Sequence, residues 1–255
     1  MPFADVDGAQ LAYRVDGKGP DLVLVHAGIA DMRMWDPLVA LLERRFRIVR
    51  YDMRGSGETT YAAGGFSDAG DLAAVLQALA IDRCVLVGSS FGGRVALEFA
   101  ATRPELVERL MVIDAPLPGW DWSEDMQSFF AAEEAALEAG EIEEAVRLNV
   151  ERFVGSAAPD VRELVADMQE RSFRLQLESE PDSAELDPPV SQRLADIAMP
   201  VSVVHGEHDV PDFVAIAHTL AEQLPSATLH CVARAAHLPA LERPEAVAEL
   251  IVSRR

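Results

Sequence analysis

Positive charge is scarce in this chain. Twenty-two lysines and arginines face 43 aspartates and glutamates, for a formal net charge of −21. Nucleic acid and anionic membrane surfaces are poor partners for such a polymer. Cysteine is scarce too. Cys84 and Cys231 are the only two, and their spacing suits neither a disulfide framework nor a metal site. Both fall in expected strands and read as small core hydrophobes. Long apolar runs are missing, since none reaches the roughly 20 residues of a membrane-spanning helix. The opening residues, MPFADVDGAQ, hold no basic stretch followed by an apolar one. No signal peptide is therefore expected, and a cytoplasmic location is the simplest reading.

The remaining composition is that of an ordinary globular chain, 49% hydrophobic and 25% charged. Its 255 residues suffice for one sizeable core with an inserted subdomain. Strand and helix patterns alternate. Strands are expected at Gln10–Val15, Asp21–His26, Phe46–Tyr51, Cys84–Val87, Leu110–Ile113, Val201–His205 and Thr228–Val232. Helices are expected at Met34–Arg45, Asp68–Ala80, after Ser90, at Val214–Leu224 and at Pro244–Val252. Such alternation implies an α/β fold, a mostly parallel sheet with helices on both faces.

Residues 117 to 195 break the rhythm. Three helical stretches fit there, Glu124–Glu138, Glu141–Phe153 and Val161–Glu178, with Ser123 as a cap and Gly140 as a stop. Pro159, Pro181, Pro188 and Pro189 punctuate the rest. The expected organisation is a core of residues 1–116 and 196–255 with a helical cap at 117–195. From 120 to 190 stand nineteen acids against five arginines, a net of −14. Most of these acids belong to solvated helix faces. Their field should also slow the entry of polyanionic substrates at low salt.

The most chemical stretch is RCVLVGSSFGGRVALEFA at 83–100. Gly88-Ser89-Ser90-Phe91-Gly92 is a G-x-S-x-G match. About one chain of this length in ten carries that pattern by chance, so its position matters more than its letters. Here it lies between a buried strand and a helix, where a sharp turn lifts the serine hydroxyl out of the sheet. Glycines at 88 and 92 leave room for that turn. The helix start also points free N–H groups at the place where negative charge develops. A dinucleotide loop fits worse, since neither GSSFGG nor the stretch at Gly55-Ser56-Gly57 completes G-x-G-x-x-G.

A serine hydroxyl needs a base, and the base needs an orienting acid. Asp209 follows the strand Val201–His205, and His237 lies in the loop after Thr228–Val232. In a parallel sheet these loops emerge at the edge that carries Ser90. The order Ser, Asp, His also fits. Asp114 and Asp212 are alternative acids. A metal cluster of His205, His208, Asp209 and His237 is a further alternative, but it leaves the serine turn unexplained.

With these residues in place, the chain resembles the α/β-hydrolase family over nearly its whole length. His26-Ala27-Gly28, Asp52-Met-Arg54-Gly55-Ser-Gly57-Glu-Thr59, the turn at Ser90, Gly206-Glu-His-Asp209 and His237-Leu-Pro239-Ala-Leu-Glu242-Arg-Pro244 carry the resemblance. It implies an eight-stranded sheet, with Ser90 as nucleophile, His237 as base and Asp209 as acid. It also implies an oxyanion hole from the backbone N–H groups of Gly28 and Phe91. Ala27 and Ala236 stand where glycine is common in the family, so Ile29 is a second candidate for the Gly28 donor. His26, Asp52 and Arg54 read as braces of their loops. Ile29, Trp120, Trp122 and Phe129 are candidate substrate contacts, and Phe130, Phe153 and Phe173 add aromatic surface.

The resemblance implies a hydrolase of a small, mostly apolar carboxylic ester or lactone, with no metal or organic cofactor. The expected partner is a small molecule, and the chain is expected as a monomer or homodimer. Serine at 90 sets it apart from epoxide hydrolases and haloalkane dehalogenases, which carry aspartate there. An enol-lactonase, a carbon–carbon bond hydrolase, a cofactor-free haloperoxidase or perhydrolase, and a receptor built on the same scaffold remain alternatives.

Overall fold

A computed structural model of the chain describes residues 1–6, 8–61, 64–177 and 183–253. Eight strands form one sheet: β1 (Phe3–Val6), β2 (Ala9–Gly17), β3 (Asp21–Val25), β4 (Arg47–Tyr51), β5 (Cys84–Ser89), β6 (Val107–Ile113), β7 (Val201–Gly206) and β8 (Ala227–Val232). Their spatial order is β1-β2-β4-β3-β5-β6-β7-β8. The first three in that order pair antiparallel, and every later neighbour pairs parallel. The short β1, whose side chains alternate between exposed and buried, was not delineated by its sequence pattern.

The middle strands are apolar throughout because both faces are covered. Side-chain alternation then divides each strand between two cores. Leu22, Leu24, Val85 and Val87 point to one side, and Val23, Val25, Cys84 and Leu86 to the other. The first side is packed by α1 (Asp36–Leu42), the short α8 (Pro239–Glu242) and α9 (Pro244–Val252). The second is packed by α2 (Asp68–Ala78), α3 (Phe91–Thr102) and α7 (Pro211–Gln223). Cys84 is a core residue as expected. Cys231 is exposed, because β8 is an edge strand with one face open to solvent.

The helix expected over Met34–Arg45 is in fact two pieces. A 3-10 turn spans Met32–Trp35, capped by Asp31, whose carboxylate accepts from the Arg33 N–H. The α-helix restarts at Asp36 because Pro37 has no N–H to give to a preceding turn. α7 begins at Pro211 rather than Val214, since proline's fixed φ suits a first helical turn.

Between β6 and β7 the chain inserts α4 (Glu124–Glu138), α5 (Ile142–Val154) and α6 (Pro159–Leu177). Ser123 Oγ caps α4 by accepting from the Met126 N–H, with Glu124 and Asp125 favourably placed in the first turn. Gly140 follows the end of α4 at φ +73°, a conformation cheap only for glycine. Glu178 and Pro181 lie outside the described residues. Phe129, Phe153, Met168 and Phe173 join the insertion to the core packed by α1, α8 and α9.

Candidate active site

β5 ends at Ser89 and α3 begins at Phe91, which leaves Ser90 alone at the turn with φ 51° and ψ −122°. A non-glycine residue at positive φ stores strain, on the order of 1–3 kcal/mol. The surroundings hold it there. The Ser90 N–H donates to Ile113 O at 2.7 Å, and Ser90 O accepts from the Gly93 N–H at 2.7 Å. The glycines are required by close backbone approach. A Cβ on Gly88 would lie 2.1 Å from Gly92 O, and one on Gly92 would lie 2.3 Å from His26 O.

His237 and Asp209 reach this turn from the loops after β8 and β7. The imidazole Nε2 lies 2.8 Å from Ser90 Oγ. Its Nδ1 lies 2.9 and 3.0 Å from the two carboxylate oxygens of Asp209. A carboxylate only accepts, so Nδ1 carries the proton and Nε2 is free to accept from the serine hydroxyl. Both His237 and Asp209 are buried. Burial works to raise the Asp209 carboxyl, but His237 and the hydrogen bonds from Asp114 and the Val210 N–H outweigh it, holding the group below its ordinary value. The rings of Phe153 and Phe213 flank the imidazole at 4.6 and 4.4 Å between centroids. They shield it from water and fix its tilt.

The alternative acids sit elsewhere. Asp212 accepts from the Ser123 N–H at 2.9 Å and from Ser123 Oγ at 2.7 Å, which ties the start of α4 to α7. Asp114 is fully buried beside Asp209 rather than on the imidazole, with φ 48°. Its Oδ1 accepts from the Gly206 N–H at 3.1 Å. Burial, and then the charge on Asp209, push its carboxyl well above the usual range. Asp114 therefore keeps its proton and donates it to Asp209. His205 and His208 do not join this group: the first bonds Gly206 O and the second is exposed near Glu207. Among the described residues, the one close set of metal-ligating types is Asp114, Asp209 and His237. Its members already hydrogen-bond Gly206, Ser90 and one another, through Asp114 Oδ1, His237 Nε2 and the His237–Asp209 pair.

Gly28 and Phe91 lie side by side, since a Cβ on Gly28 would meet Phe91 Cβ at 3.4 Å. Phe91 is the first residue of α3, where the N–H has no partner inside the helix. Both residues, with Ser90 and Ile29, border a cavity of about 520 Å³ beneath the inserted helices. Trp122 and Phe129 line it, together with Phe130, Phe153 and Phe173. Trp120 does not. Its Nε1 donates to Asp212 Oδ1 at 3.3 Å, so the ring serves the α4–α7 junction instead.

The neighbouring loops are braced by buried polar groups. His26 Nε2 accepts from the Met53 N–H at 3.0 Å, and its Nδ1–H donates to Ala27 O at 2.8 Å. Asp52 accepts from the N–H groups of Met32 and Glu58. Arg54 pairs with Asp71 through two bonds of 2.7 and 2.8 Å. One bracing residue had no role assigned from the sequence. Glu242 accepts from the N–H groups on either side of His237, those of Ala236 and Leu238, at 3.0–3.1 Å. In the sequence it stands only as the acid of His237-Leu-Pro239-Ala-Leu-Glu242-Arg-Pro244, with no role of its own.

Comparison with known proteins agrees with this architecture. An uncharacterized protein of Mycobacterium tuberculosis is 35% identical over 119 residues, 45% of this chain and 35% of that protein, so the chain spans about a third of that relative's length. A pimeloyl-[acyl-carrier protein] methyl ester esterase from Pectobacterium carotovorum is 28% identical over 96% of this chain and 98% of its own. Among solved structures, an enol-lactonase from Burkholderia xenovorans superposes with a TM-score of 0.80, at 25% identity and 98% coverage of each chain. Residues 22–250 match the model of the alpha/beta hydrolase family, and on that match together with its eight-stranded sheet the chain belongs to this family.

Proposed function

We propose that this protein is a serine hydrolase that cleaves a small, mostly apolar carboxylic ester or lactone through an acyl-enzyme. The observation that carries the reading is the line of hydrogen bonds from Ser90 through His237 to Asp209, opening into an aromatic cavity. Ser90 Oγ attacks the carbonyl carbon while His237 Nε2 takes its proton. Asp209 stabilises the imidazolium that results. The N–H groups of Phe91 and Gly28 meet the oxyanion, and each such donor is typically worth about 100-fold or more in rate. The carbon–oxygen bond to the alcohol then breaks, and His237 returns the proton to the departing oxygen. Water, deprotonated by the same imidazole, attacks the acyl carbon and releases the acid and Ser90.

The likeness to an esterase and an enol-lactonase supports an ester bond as the point of attack. A fluorophosphonate probe tests the nucleophile. It should label the wild-type protein and leave Ser90→Ala unlabelled, and the same substitution should lower kcat on p-nitrophenyl butyrate by about 10⁴-fold or more. Labelling that persists in Ser90→Ala overturns the assignment. Labelling without turnover of any ester or lactone favours a receptor on this scaffold. Activity should fall on acidification, because an imidazolium accepts no proton from serine. A profile flat from acid to neutral pH speaks against a histidine base.

A further inference from the structure

Each of the three inserted helices offers the cavity a phenylalanine and a polar side chain four residues apart. The pairs are Phe129 with Glu133, Asn149 with Phe153, and Gln169 with Phe173. That spacing puts both members on one helix face, about 6 Å apart along the axis. α4 and α5 align their pairs in opposite directions. The Phe129 and Phe153 rings meet edge to face at 5.4 Å, while Glu133 accepts a hydrogen bond from Asn149 Nδ2. The wall of the cavity therefore has two tiers. The phenyl tier borders the imidazole of His237 through Phe153. The polar tier of Glu133 and Asn149 lies a helical turn further from it.

α6 contributes Gln169, which is 3% exposed and whose Oε1 has no hydrogen-bond partner among the described residues. A buried acceptor without a partner costs about 1–3 kcal/mol. The side chain faces the cavity. The second oxygen of Glu133 and Oδ1 of Asn149 likewise make no hydrogen bond among the described residues. Three oxygens that accept hydrogen bonds thus border the cavity beside the phenyl rings of Phe129, Phe153 and Phe173.

The charges nearby narrow the choice of ligand. Asp68 and Glu133 both line the cavity. The arginine on its wall, Arg54, is held by Asp71 and stacked on the Phe66 ring at 4.4 Å. A carboxylate tail would meet two acids and a cation already engaged.

Resting on the hydrolase reading above, we infer that the polar tier of Glu133, Asn149 and Gln169 is a recognition subsite for an uncharged hydrogen-bond donor, an amide N–H or a hydroxyl, at the end of an apolar acyl chain. The acyl portion is chosen because it stays on Ser90 through both half-reactions, so its binding can assist both. A site built to satisfy such a group discriminates strongly against an analogue that lacks it.

The test uses p-nitrophenyl esters whose straight acyl chains, at several lengths, end in a primary amide, in an isopropyl group of the same shape, or in a carboxylate. The wild-type protein should favour the amide over the isopropyl ester at least tenfold in kcat/KM at the best length, and should turn over the carboxylate ester slowest. Gln169→Leu should collapse the amide-to-isopropyl ratio towards one. Gln169→Met, of similar volume and greater flexibility, serves if the first variant fails to fold. The inference is overturned if the isopropyl ester matches the amide at every length, or if the ratio survives in the folded variants. p-Nitrophenyl acetate is too short to reach the tier and keeps the two readings apart. Wild-type protein that cleaves acetate without any amide preference refutes the subsite alone. Protein that neither cleaves acetate nor takes the fluorophosphonate label refutes the hydrolase reading.

Discussion

Two buried aspartates stand within reach of one histidine, and their environments give them opposite protonation. Asp209 is held charged by His237, whereas Asp114 is held neutral by burial and by its neighbour's charge. Opposite effects of the same substitution follow. Asp209→Asn replaces an acceptor with a group that favours the wrong imidazole tautomer, and kcat should fall by about 10⁴-fold. Asp114→Asn copies a protonated carboxyl. The amide nitrogen can donate to Asp209 and the oxygen can still accept from the Gly206 N–H. Ester turnover by Asp114→Asn should therefore stay within about threefold of wild type, whereas Asp114→Ala, which strands the Gly206 N–H, should cost about 1–3 kcal/mol of stability. Equal losses in Asp114→Asn and Asp209→Asn, measured as kcat/KM, contradict the division of roles. Glu242 acts one step further out. Glu242→Ala removes three hydrogen bonds that fix the loop of His237. It should lower kcat by about 10–100-fold, with Glu242→Gln recovering part of the loss because its amide oxygen still accepts.

The elements that bring these residues together follow from local rules that the sequence displays openly. β5 is six buried residues running into G-x-S-x-G, and a buried apolar run ending in glycines has few other conformations available. α4 shows its start in Ser123 and its end in Gly140, and the structure bounds it at Glu124 and Glu138. Features hidden from the sequence pattern depend on tertiary contact. Trp120 looks like pocket surface until Asp212 claims its indole N–H. Cys231 looks like core until β8 turns out to be an edge. Asp114 bonds Gly206, 92 residues away in the chain, and Glu242 bonds the N–H groups on either side of His237 in its own loop; no periodicity encodes either. The turn at Ser90 offers a severe test at this scale. A methyl group on Gly92 would meet the carbonyl oxygens of His26 and Val25 at 2.3 and 2.4 Å, and these are backbone atoms of β3's exit that have nowhere to move. Gly92→Ala should destabilise the fold by more than about 2 kcal/mol. A change in the urea midpoint too small to resolve removes the claim that close packing, rather than chance, put glycine there.

At the scale of the whole molecule, acid–base balance sets stability. Asp68 sits where burial first, and the Asp71 charge second, push its carboxyl up to about 6. A group raised on folding stabilises the native state below its unfolded value, and that contribution is lost as pH rises through the folded value. Asp114 acts with the same sign. Asp209 acts with the opposite one, since its carboxyl is lowered on folding and its contribution is lost as pH falls. Self-repulsion from a net charge of −21 adds to the loss on the alkaline side. Stability should therefore peak on the acid side of neutrality. Between the ordinary carboxylate value and about 6, the decline with rising pH should carry the signature of Asp68. Asp68→Asn keeps a partner for Ser183 Oγ and removes the titration. It forfeits a helix-terminus attraction at the start of α2 worth about 0.3–1 kcal/mol. The relieved penalty is larger, at most about 3 kcal/mol for a shift of this size. Thermal unfolding across pH 4 to 8 should show a higher Tm for Asp68→Asn than for wild type at neutral pH, with the difference shrinking towards pH 4. Added salt should raise the neutral-pH Tm of both proteins by screening their shared excess of acids. A variant whose Tm runs parallel to wild type across that range would place the pH dependence in groups other than Asp68.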